Sequence, residues 1–366
     1  MIKILAGQTH YLGTDGKTRL SAVDWWRLIN PLSKLEKKYK DISVDIIQRI
    51  VDKNGNEETA WNKIGKKYDI FYTSYIDTPK AYSFIKAITE KHNIKHIMDM
   101  DDNIFEVDKM NPVYLRYYPG SESLKNATII AKDSQYMTAS TPHLANTLNA
   151  LRGKNDVEVL PNYIDPETYT YNSELANREF DKRKIIGYQG SSTHYSDLFN
   201  SGVLEAISKL MKEYDNLYFY VIGMGTEDLY NYLPKDRVII EGGERDHRNW
   251  VKKWQSLPID IGIAPLINTK FNKSKSSIKY YEYALRKIPA VYSFSEPYSW
   301  KVIEGKTGYL ASNTLEWYNK LKRLIDDPIL KEKIAKKARE DVLENYVIDN
   351  HLEKIYNYIK KVHNDK

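Results

Sequence analysis

The chain has 366 residues, which is too long for one ordinary hydrophobic core and favours two α/β domains of similar size. Hydrophobic residues make up 42% of it, but no apolar run approaches the roughly 20 residues that span a bilayer. The net charge of +6 is spread along both halves, whereas a dedicated nucleic-acid binder concentrates its charge. The absence of cysteine excludes disulfides and thiolate chemistry, which favours a cytoplasmic location. The first residues resemble a strand and a glycine turn, so we expect no secretory leader there.

Short β-branched runs alternate with helical stretches in the first half of the chain, a pattern typical of parallel βαβ units. We predict strands at 3–6, 44–47, 70–73, 97–100, 136–138 and 157–160. The helical stretches between them include 21–40, 79–92 and 142–151. The last two begin with proline, which a first helical turn tolerates because its missing N–H would be unpaired there.

The second half repeats the alternation and predicts a second domain of the same class. Its predicted strands are 184–188, 217–222, 237–240, 260–264, 290–292 and 309–310. The polar segment 162–182 separates the two series and is interpreted as the linker. Beyond Gly308 the chain is mostly helical, with predicted helices at 315–326, 328–344 and 351–362.

The stretch from 261 to 291 predicts a buried strand, a polar loop and a helix. Ser274, Ser276 or Ser277 caps this helix in our prediction, which leaves N–H groups beside Lys275 as an anion site suited to a diphosphate. Glu282 follows about two turns inside the helix, where its carboxylate can accept hydrogen bonds from a ribose. The alternative is an amphipathic helix whose lysines are only solvated.

Glycine-bearing turns follow three predicted strands of the second half, at 187–190, 223–225 and 242–243. Small residues let a backbone approach a phosphate closely, and the first of these turns continues into Ser191, Ser192 and His194. Turns at the carboxyl ends of parallel strands share one edge of the sheet, so they predict a ligand crevice along that edge.

These segments together resemble the C-terminal domain of GT-B-fold glycosyltransferases, in particular the retaining enzymes of family 4. The resemblance rests on the segments 187–190, 221–225 and 260–266, and above all on the block 275–291. In the first half, 160–165 resembles the family's crossover between domains and 140–144 its strand-to-helix turn. The resemblance implies an α/β GT-B fold, with two Rossmann-like domains facing each other across a cleft.

The implied domains are 1–165 on the acceptor side and 166–345 for the nucleotide-sugar, followed by a helix at 346–366 that crosses back to the first domain. The implied reaction moves a sugar from a nucleotide-sugar, such as UDP-glucose, to a hydroxyl acceptor with retention. The implied donor contacts are Gly190, Ser191, Ser192, His194, Gly223, Lys275, Ser276, Lys279 and Glu282.

The sequence departs from the family pattern at two places. Family members carry two glutamates eight positions apart, and here Glu282 fits the second while Ser274 stands in place of the first. The arginine and lysine that usually hold the diphosphate after the first strand of the second domain are also absent. Lys275 and Lys279 therefore have to supply that positive charge.

The densest acidic cluster contains Asp99, Asp101 and Asp102 and follows an apolar run. It resembles a turn found in a bacterial and phage branch of GT-B enzymes, which implies catalytic roles for Asp101 and Asp102 in the cleft. We assign Asp99 and His10 to the acceptor or the sugar, with His10 near the donor phosphates in a glycine-bearing loop. Two alternatives stay open: a D-x-D manganese site of the GT-A class, and a turn whose carboxylates cap the following segment.

No histidine spacing indicates a metal site, and we expect neither a cofactor nor a metal in the reaction. The acceptor is either a glycan or a hydroxymethylated base in DNA, as in phage enzymes that modify their genomes. The 30 tyrosines offer rings for stacking on either. The rival interpretation is an inactive GT-B-like protein that binds nucleotide-sugars, and the sequence leaves the oligomeric state open.

Overall fold

The computed structural model describes residues 1–7, 11–12, 18–47, 56–169 and 183–365. The first half of the chain forms a six-stranded parallel sheet in the order β4-β1-β5-β6-β7-β8. A short antiparallel pair, β2 and β3, stands apart from it. The strands are β1 (Ile2–Gly7), β2 (Tyr11–Leu12), β3 (Thr18–Arg19), β4 (Ile42–Ile47), β5 (Ile70–Ser74), β6 (Lys95–Met100), β7 (Tyr136–Ala139) and β8 (Val157–Val159).

The second half forms another six-stranded parallel sheet, in the order β11-β10-β9-β12-β13-β14. Its strands are β9 (Lys184–Gln189), β10 (Leu217–Ile222), β11 (Val238–Glu241), β12 (Ile261–Ala264), β13 (Ala290–Ser293) and β14 (Tyr309–Ala311). Each of the twelve strands of the two large sheets lies within two residues of a predicted strand. The predicted pair of doubly wound sheets is therefore confirmed.

Helices pack against the two large sheets along the whole described chain. In the first half they are Ala22–Asp24, Asn30–Lys38, Glu57–Ile64, Pro79–His92, Tyr114–Tyr117, Glu122–Asp133 and Pro142–Arg152. In the second half they are Tyr195–Asn200, Val203–Glu213, His247–Ser256, Lys270–Lys273, Ile278–Leu285, Thr314–Asp326, Pro328–Asn345 and Leu352–Asn364. None of the described helices is long and apolar enough to cross a membrane.

The first predicted helix, 21–40, is not one regular α-helix. It contains a π-helical turn at Trp25–Ile29, where the backbone N–H of Asn30 donates to the carbonyl of Trp25. Pro31 explains the irregularity, because proline has no N–H for the next helical bond and its ring collides with the carbonyl four residues earlier. The wider turn carries Trp26 and Arg27, and both side chains become buried.

The two halves are joined at two places where the chain crosses between them. The N–H of Ile164 donates to the carbonyl of Tyr346 at 2.9 Å, and the N–H of Ile348 donates to the carbonyl of Ile164 at 2.9 Å. The ammonium group of Lys34 lies within 3.2 Å of carboxylate oxygens of both crossings, on Asp165 and Asp349. The two crossings are therefore held to each other and to the first domain.

The last helix returns to the first sheet, as predicted. Leu352, Ile355 and Ile359 of this helix belong to the same buried cluster as Ile4 of β1. The second sheet has apolar clusters of its own. The boundaries at 165 and 345 stay a prediction, and most of the predicted linker lies outside the described residues.

We expect Gly223→Ala to lower the free energy of unfolding more than Gly153→Ala. Both glycines have positive φ, +91° and +70°, which costs a residue with a side chain about 1–2 kcal/mol. A methyl group at Gly223 would also lie 2.6 Å from the carbonyl oxygen of Gly190, whereas one at Gly153 would meet nothing within 4 Å. Urea unfolding of both variants measures the difference, and equal losses would contradict this explanation.

Candidate functional site

A cavity of about 210 Å³ lies between the two halves, where β6, β9 and β12 end. The predicted site residues that line it are Asp101, Asp102, His194, Lys275, Ser276, Lys279 and Glu282. These residues come from three separate segments of the chain, 101–102, 194 and 275–282. The structure therefore brings most of the predicted donor and catalytic residues together in one cleft.

The floor on the first-domain side is a buried ion pair between Arg27 and Asp99. The guanidinium donates from Nε to Asp99 Oδ2 at 2.8 Å and from Nη2 to Oδ1 at 2.7 Å. Thr138 also donates to this carboxylate. Asp99 is 1% exposed and does not line the cavity. The geometry does not support its assignment to the sugar or the acceptor, because Arg27 and Thr138 occupy its oxygens.

Asn162 connects this ion pair to both walls of the cavity. Its Oδ1 accepts a hydrogen bond from Arg27 Nη1 at 3.0 Å. Its Nδ2 donates to Asp101 Oδ1 at 3.0 Å and to Ser276 Oγ at 2.8 Å. Burial and the neighbouring carboxylates Asp102 and Asp99 raise the pKa of Asp101, although Arg27 opposes the shift. Asp101 is thus held toward the second domain and does not cap its own segment.

Asp102 faces the second domain directly. Its Oδ1 lies 3.4 Å from Lys275 Nζ, and its side chain is half exposed. Lys279 lines the same cavity, and burial together with the charge of Lys275 lowers its pKa to about 8. Two ammonium groups that repel each other beside a cavity form a site that attracts an anion.

The helix Ile278–Leu285 begins differently from our prediction. Ser277 is its N-cap residue, but its hydroxyl donates to the carbonyl of Pro297 and does not cap the helix. Ser274 is fully buried and belongs to the end of the preceding short helix. Among the described residues, no group accepts a hydrogen bond from the N–H of Ile278 or Lys279. These N–H groups lie beside the two lysines, where a bound anion can accept from them.

Glu282 lies about one turn inside this helix, not two, because the helix begins at Ile278. Its Oε2 accepts from Gln189 Nε2 at 2.6 Å, and its Oε1 accepts from Trp250 Nε1 at 3.4 Å. The side chain is buried but lines the cavity. Burial raises the pKa of Glu282 to about 7, although Lys279 opposes the shift.

The loop after β9 sends one of its predicted residues into the cavity. His194 lines it, and its Nδ1 lies 2.8 Å from Asp197 Oδ2. Burial and the charges of Lys279 and Lys275 lower the pKa of His194 to about 4. Ser191 and Ser192 are exposed and do not line the cavity, and the hydroxyl of Ser191 bonds that of Thr193. The two serines therefore lie outside the cavity, and their contact with a diphosphate stays a prediction.

The glycines predicted to contact the donor have a structural role. Gly190 and Gly223 do not line the cavity. A methyl group on Gly243 would lie 2.9 Å from the Cα of Gly223, so the turns after β10 and β11 pack backbone against backbone. Only glycine permits this approach, and the donor contacts of Gly190 and Gly223 stay a prediction.

Two further predictions concern the first loop and a metal. His10 lies outside the described residues, so its assignment stays a prediction. Within the described part of the chain, no group of three histidine, aspartate or glutamate side chains is arranged to hold a metal ion. A D-x-D chelate would need both Asp99 and Asp101, and Arg27 already binds Asp99 through two hydrogen bonds.

Several cavity and supporting residues escaped the sequence analysis. Gln189 ends strand β9, so its position at the carboxyl edge was a usable signal. Trp250 lies on the helix His247–Ser256, whose mixture of polar and aromatic residues is typical of a helix that packs on a core. Its sequence therefore does not indicate a site residue. Arg27 binds Asp99, which is 72 positions away, and Asn162 binds Asp101, which is 61 positions away. No local sequence pattern indicates such distant pairs.

We expect the stability of the Glu282→Gln variant to rise relative to the wild type between about pH 4.5 and 7. The folded protein holds the pKa of Glu282 near 7, above its ordinary 4.5, so ionisation costs the folded state stability as the pH rises through this window. The gain should approach about 3 kcal/mol above pH 7. Urea unfolding at several pH values measures it, with exposed Glu344→Gln as the control. If the difference in free energy of unfolding between the variant and the wild type did not change with pH, Glu282 would not be a buried carboxyl that ionises in this range.

A scan against protein-family models finds no match, and no curated protein matches the sequence. Solved structures do match the fold. HepE of Anabaena in complex with UDP-glucose aligns with a TM-score of 0.66 at 14% identity, covering 99% of this chain and 100% of that one. Sucrose-phosphate synthase from Thermosynechococcus elongatus aligns with a TM-score of 0.64 at 12% identity, covering 99% and 100%.

A glycosyltransferase from Rickettsia africae aligns with a TM-score of 0.64 at 15% identity, covering 100% of this chain and 99% of that one. The match extends over both sheets and the returning helix, since nearly the whole of each chain is covered. At these identities the likeness establishes the architecture. The chain has the GT-B fold of glycosyltransferases, as its sequence predicts.

Proposed function

We propose that this chain is a glycosyltransferase that moves a sugar from a UDP-linked donor to a hydroxyl acceptor. The observation that carries the proposal is the opposition of charges across one interdomain cavity. Lys275 and Lys279 of the second domain face Asp101 and Asp102 of the first. Cations suit a diphosphate, and carboxylates suit the hydroxyls of a sugar. The GT-B fold supports this function, and one protein that shares it, HepE, binds UDP-glucose.

The donor diphosphate fits the start of the helix Ile278–Leu285. Lys275 and Lys279 lie there, together with the two backbone N–H groups that have no acceptor among the described residues. As the bond between the anomeric carbon and the β-phosphate oxygen breaks, negative charge develops on that oxygen. Positive groups already in place stabilise this charge without having to reorganise. Ser276 lines the same cavity and adds a hydroxyl donor.

The ribose of the carrier fits beside Glu282. This carboxylate is anchored by Gln189 and Trp250, so its remaining lone pairs have a fixed direction. Ribose hydroxyls donate to a carboxylate most strongly when it is ionised, and the pKa of Glu282 lies near 7 because the group is buried. Binding of the nucleotide then favours the ionised form.

The transferred sugar then lies between the lysines and the opposite wall, where Asp101 and Asp102 accept from its hydroxyls or from the acceptor. In the retaining reaction, the acceptor oxygen bonds the anomeric carbon on the face that the diphosphate leaves. The acceptor proton passes to the departing phosphate oxygen, so no side chain has to act as nucleophile. The protein contributes orientation and charge.

Two acceptor classes remain within this proposal, a glycan and a hydroxymethylated base in DNA, and both present a hydroxyl. A second candidate function is nucleotide-sugar binding without turnover. The fully buried Ser274 favours it, because the position where family members carry a glutamate holds no carboxylate here. The cysteine-free composition supports a cytoplasmic location for either function.

A product assay tests the proposal. The protein is incubated with a panel of nucleotide-sugars and with two acceptor sets, hydroxymethylated DNA and simple glycans, and the products are analysed by mass spectrometry. A mass increase of one sugar on either acceptor supports transfer and identifies the acceptor class. Tight binding of a nucleotide-sugar with no product on any acceptor would favour the binding protein instead.

We expect Asp101→Asn and Asp102→Asn to lower kcat by at least about 100-fold without a loss of UDP affinity. The carboxylates lie on the wall opposite the lysines, so they contact the reacting groups and make no favourable contact with the nucleotide. Steady-state kinetics and calorimetry with UDP measure the two effects. Asp133→Asn, which breaks a surface ion pair with Lys86, is the control. A parallel loss of UDP affinity would contradict this division of roles.

Transfer should persist in EDTA, because lysines and helix N–H groups neutralise the leaving diphosphate in this proposal. The measurement compares initial rates with and without the chelator. Complete loss that Mn²⁺ restores would instead assign the charge to a metal and revive the D-x-D interpretation.

A further inference from the structure

His194 presents a single ring nitrogen to the cavity. Its Nδ1 is bonded to Asp197 Oδ2 at 2.8 Å, and its side chain lines the cavity beside Lys275 and Lys279. Among the described residues, none hydrogen-bonds its Nε2. His194 can therefore form a hydrogen bond with a ligand only through Nε2.

Asp197 fixes which nitrogen carries the proton. It is 3% exposed, and its other oxygen, Oδ1, accepts from the N–H of Ile267 at 3.0 Å and from Asn272 Nδ2 at 2.6 Å. An ionised carboxylate only accepts, so it offers no proton to the imidazole. Nδ1 must then be the donor to Oδ2. In the neutral ring this leaves a lone pair on Nε2, directed at the ligand side.

The lone pair on Nε2 determines which ligand groups can form a hydrogen bond with His194. Phosphate oxygens only accept, so a neutral Nε2 acceptor facing them is repelled. Burial and the two nearby lysines keep the pKa of His194 near 4, which maintains the neutral ring at pH 7. The partner that fits an uncharged acceptor beside a diphosphate site is a hydroxyl group.

We propose that His194 accepts a hydrogen bond from a hydroxyl of the transferred sugar, and that Asp197 is the positioning residue that holds the imidazole in the accepting tautomer. This inference rests on the proposed donor and assigns the expected donor contact of His194 to the sugar. It makes His194 a determinant of sugar choice, while Lys275 and Lys279 hold the carrier.

The Asp197→Asn variant tests the inference because it should invert the tautomer without removing any atom from the ligand side. The amide oxygen of the new side chain would stay with the two donors of Oδ1, the N–H of Ile267 and Asn272 Nδ2. The new amide nitrogen must then face His194, whose Nδ1 becomes the acceptor and whose Nε2 carries the proton. Nitrogen-15 NMR of the imidazole reports this inversion directly in the protein without ligand.

Calorimetry with UDP, UDP-glucose and its 2-, 3-, 4- and 6-deoxy analogues supplies the functional readout. In the wild type, one deoxy analogue should bind about tenfold more weakly than UDP-glucose. In Asp197→Asn and in His194→Phe, that one analogue and UDP-glucose should bind equally, while UDP affinity is unchanged. Asp228→Asn, an exposed carboxylate that bonds Tyr195, is the matched control and should behave as the wild type.

Three outcomes would overturn the inference. A change of UDP affinity in Asp197→Asn would show that His194 acts on the diphosphate. If each deoxy analogue lost the same affinity in the wild type as in the two variants, His194 would have no contact with the sugar. An unchanged tautomer would remove the role of Asp197. All of these measure binding or protonation, so they remain distinct from a failure of transfer in the product assay.

Discussion

The buried guanidinium of Arg27 is the group on which the geometry of the cleft depends. An arginine can only donate, so every group around it must accept: both oxygens of Asp99, the carbonyl of Leu160 and the amide oxygen of Asn162. The amide nitrogen of Asn162 then has one direction left, toward Asp101 and Ser276. Through Asn162, the guanidinium of Arg27 thereby orients the carboxylate of Asp101 in the first domain and the hydroxyl of Ser276 in the second.

The cavity contains both lysines and carboxylates, but they do not neutralise each other fully. Lys275 is paired with Asp102 at 3.4 Å, but Lys279 has no carboxylate at salt-bridge distance among the described residues. A diphosphate that binds both lysines would compete with Asp102 for Lys275 and release this carboxylate toward the sugar. In the proposed reaction, donor binding and the position of Asp102 are then linked through this one ion pair.

The sequence predicts the framework of this protein better than its site. Strands such as β10 (Leu217–Ile222) and helices such as Pro79–His92 have the predicted bounds, because runs of aromatic and β-branched residues and an N-terminal proline are local signals. Lys275, Glu282 and Asp101 were also found in the cleft, since each follows a strand or lies near the start of a helix at the ligand edge. The role of Asp197 was not predicted, because it depends on contacts with residues 70 and 75 positions away.

Ser274 stands where the glycosyltransferases that the sequence resembles carry a glutamate, and here it has a structural role. Its hydroxyl accepts from Asn103 at 3.0 Å, and its carbonyl accepts from Thr141 at 2.8 Å, both across the domain boundary. The position is fully buried, so a glutamate here would place a charge inside this contact. The chain therefore uses this position to hold the domains together. In the proposed reaction, recognition of the sugar therefore falls to other polar groups of the cavity, those of the opposite wall and of the loop after β9.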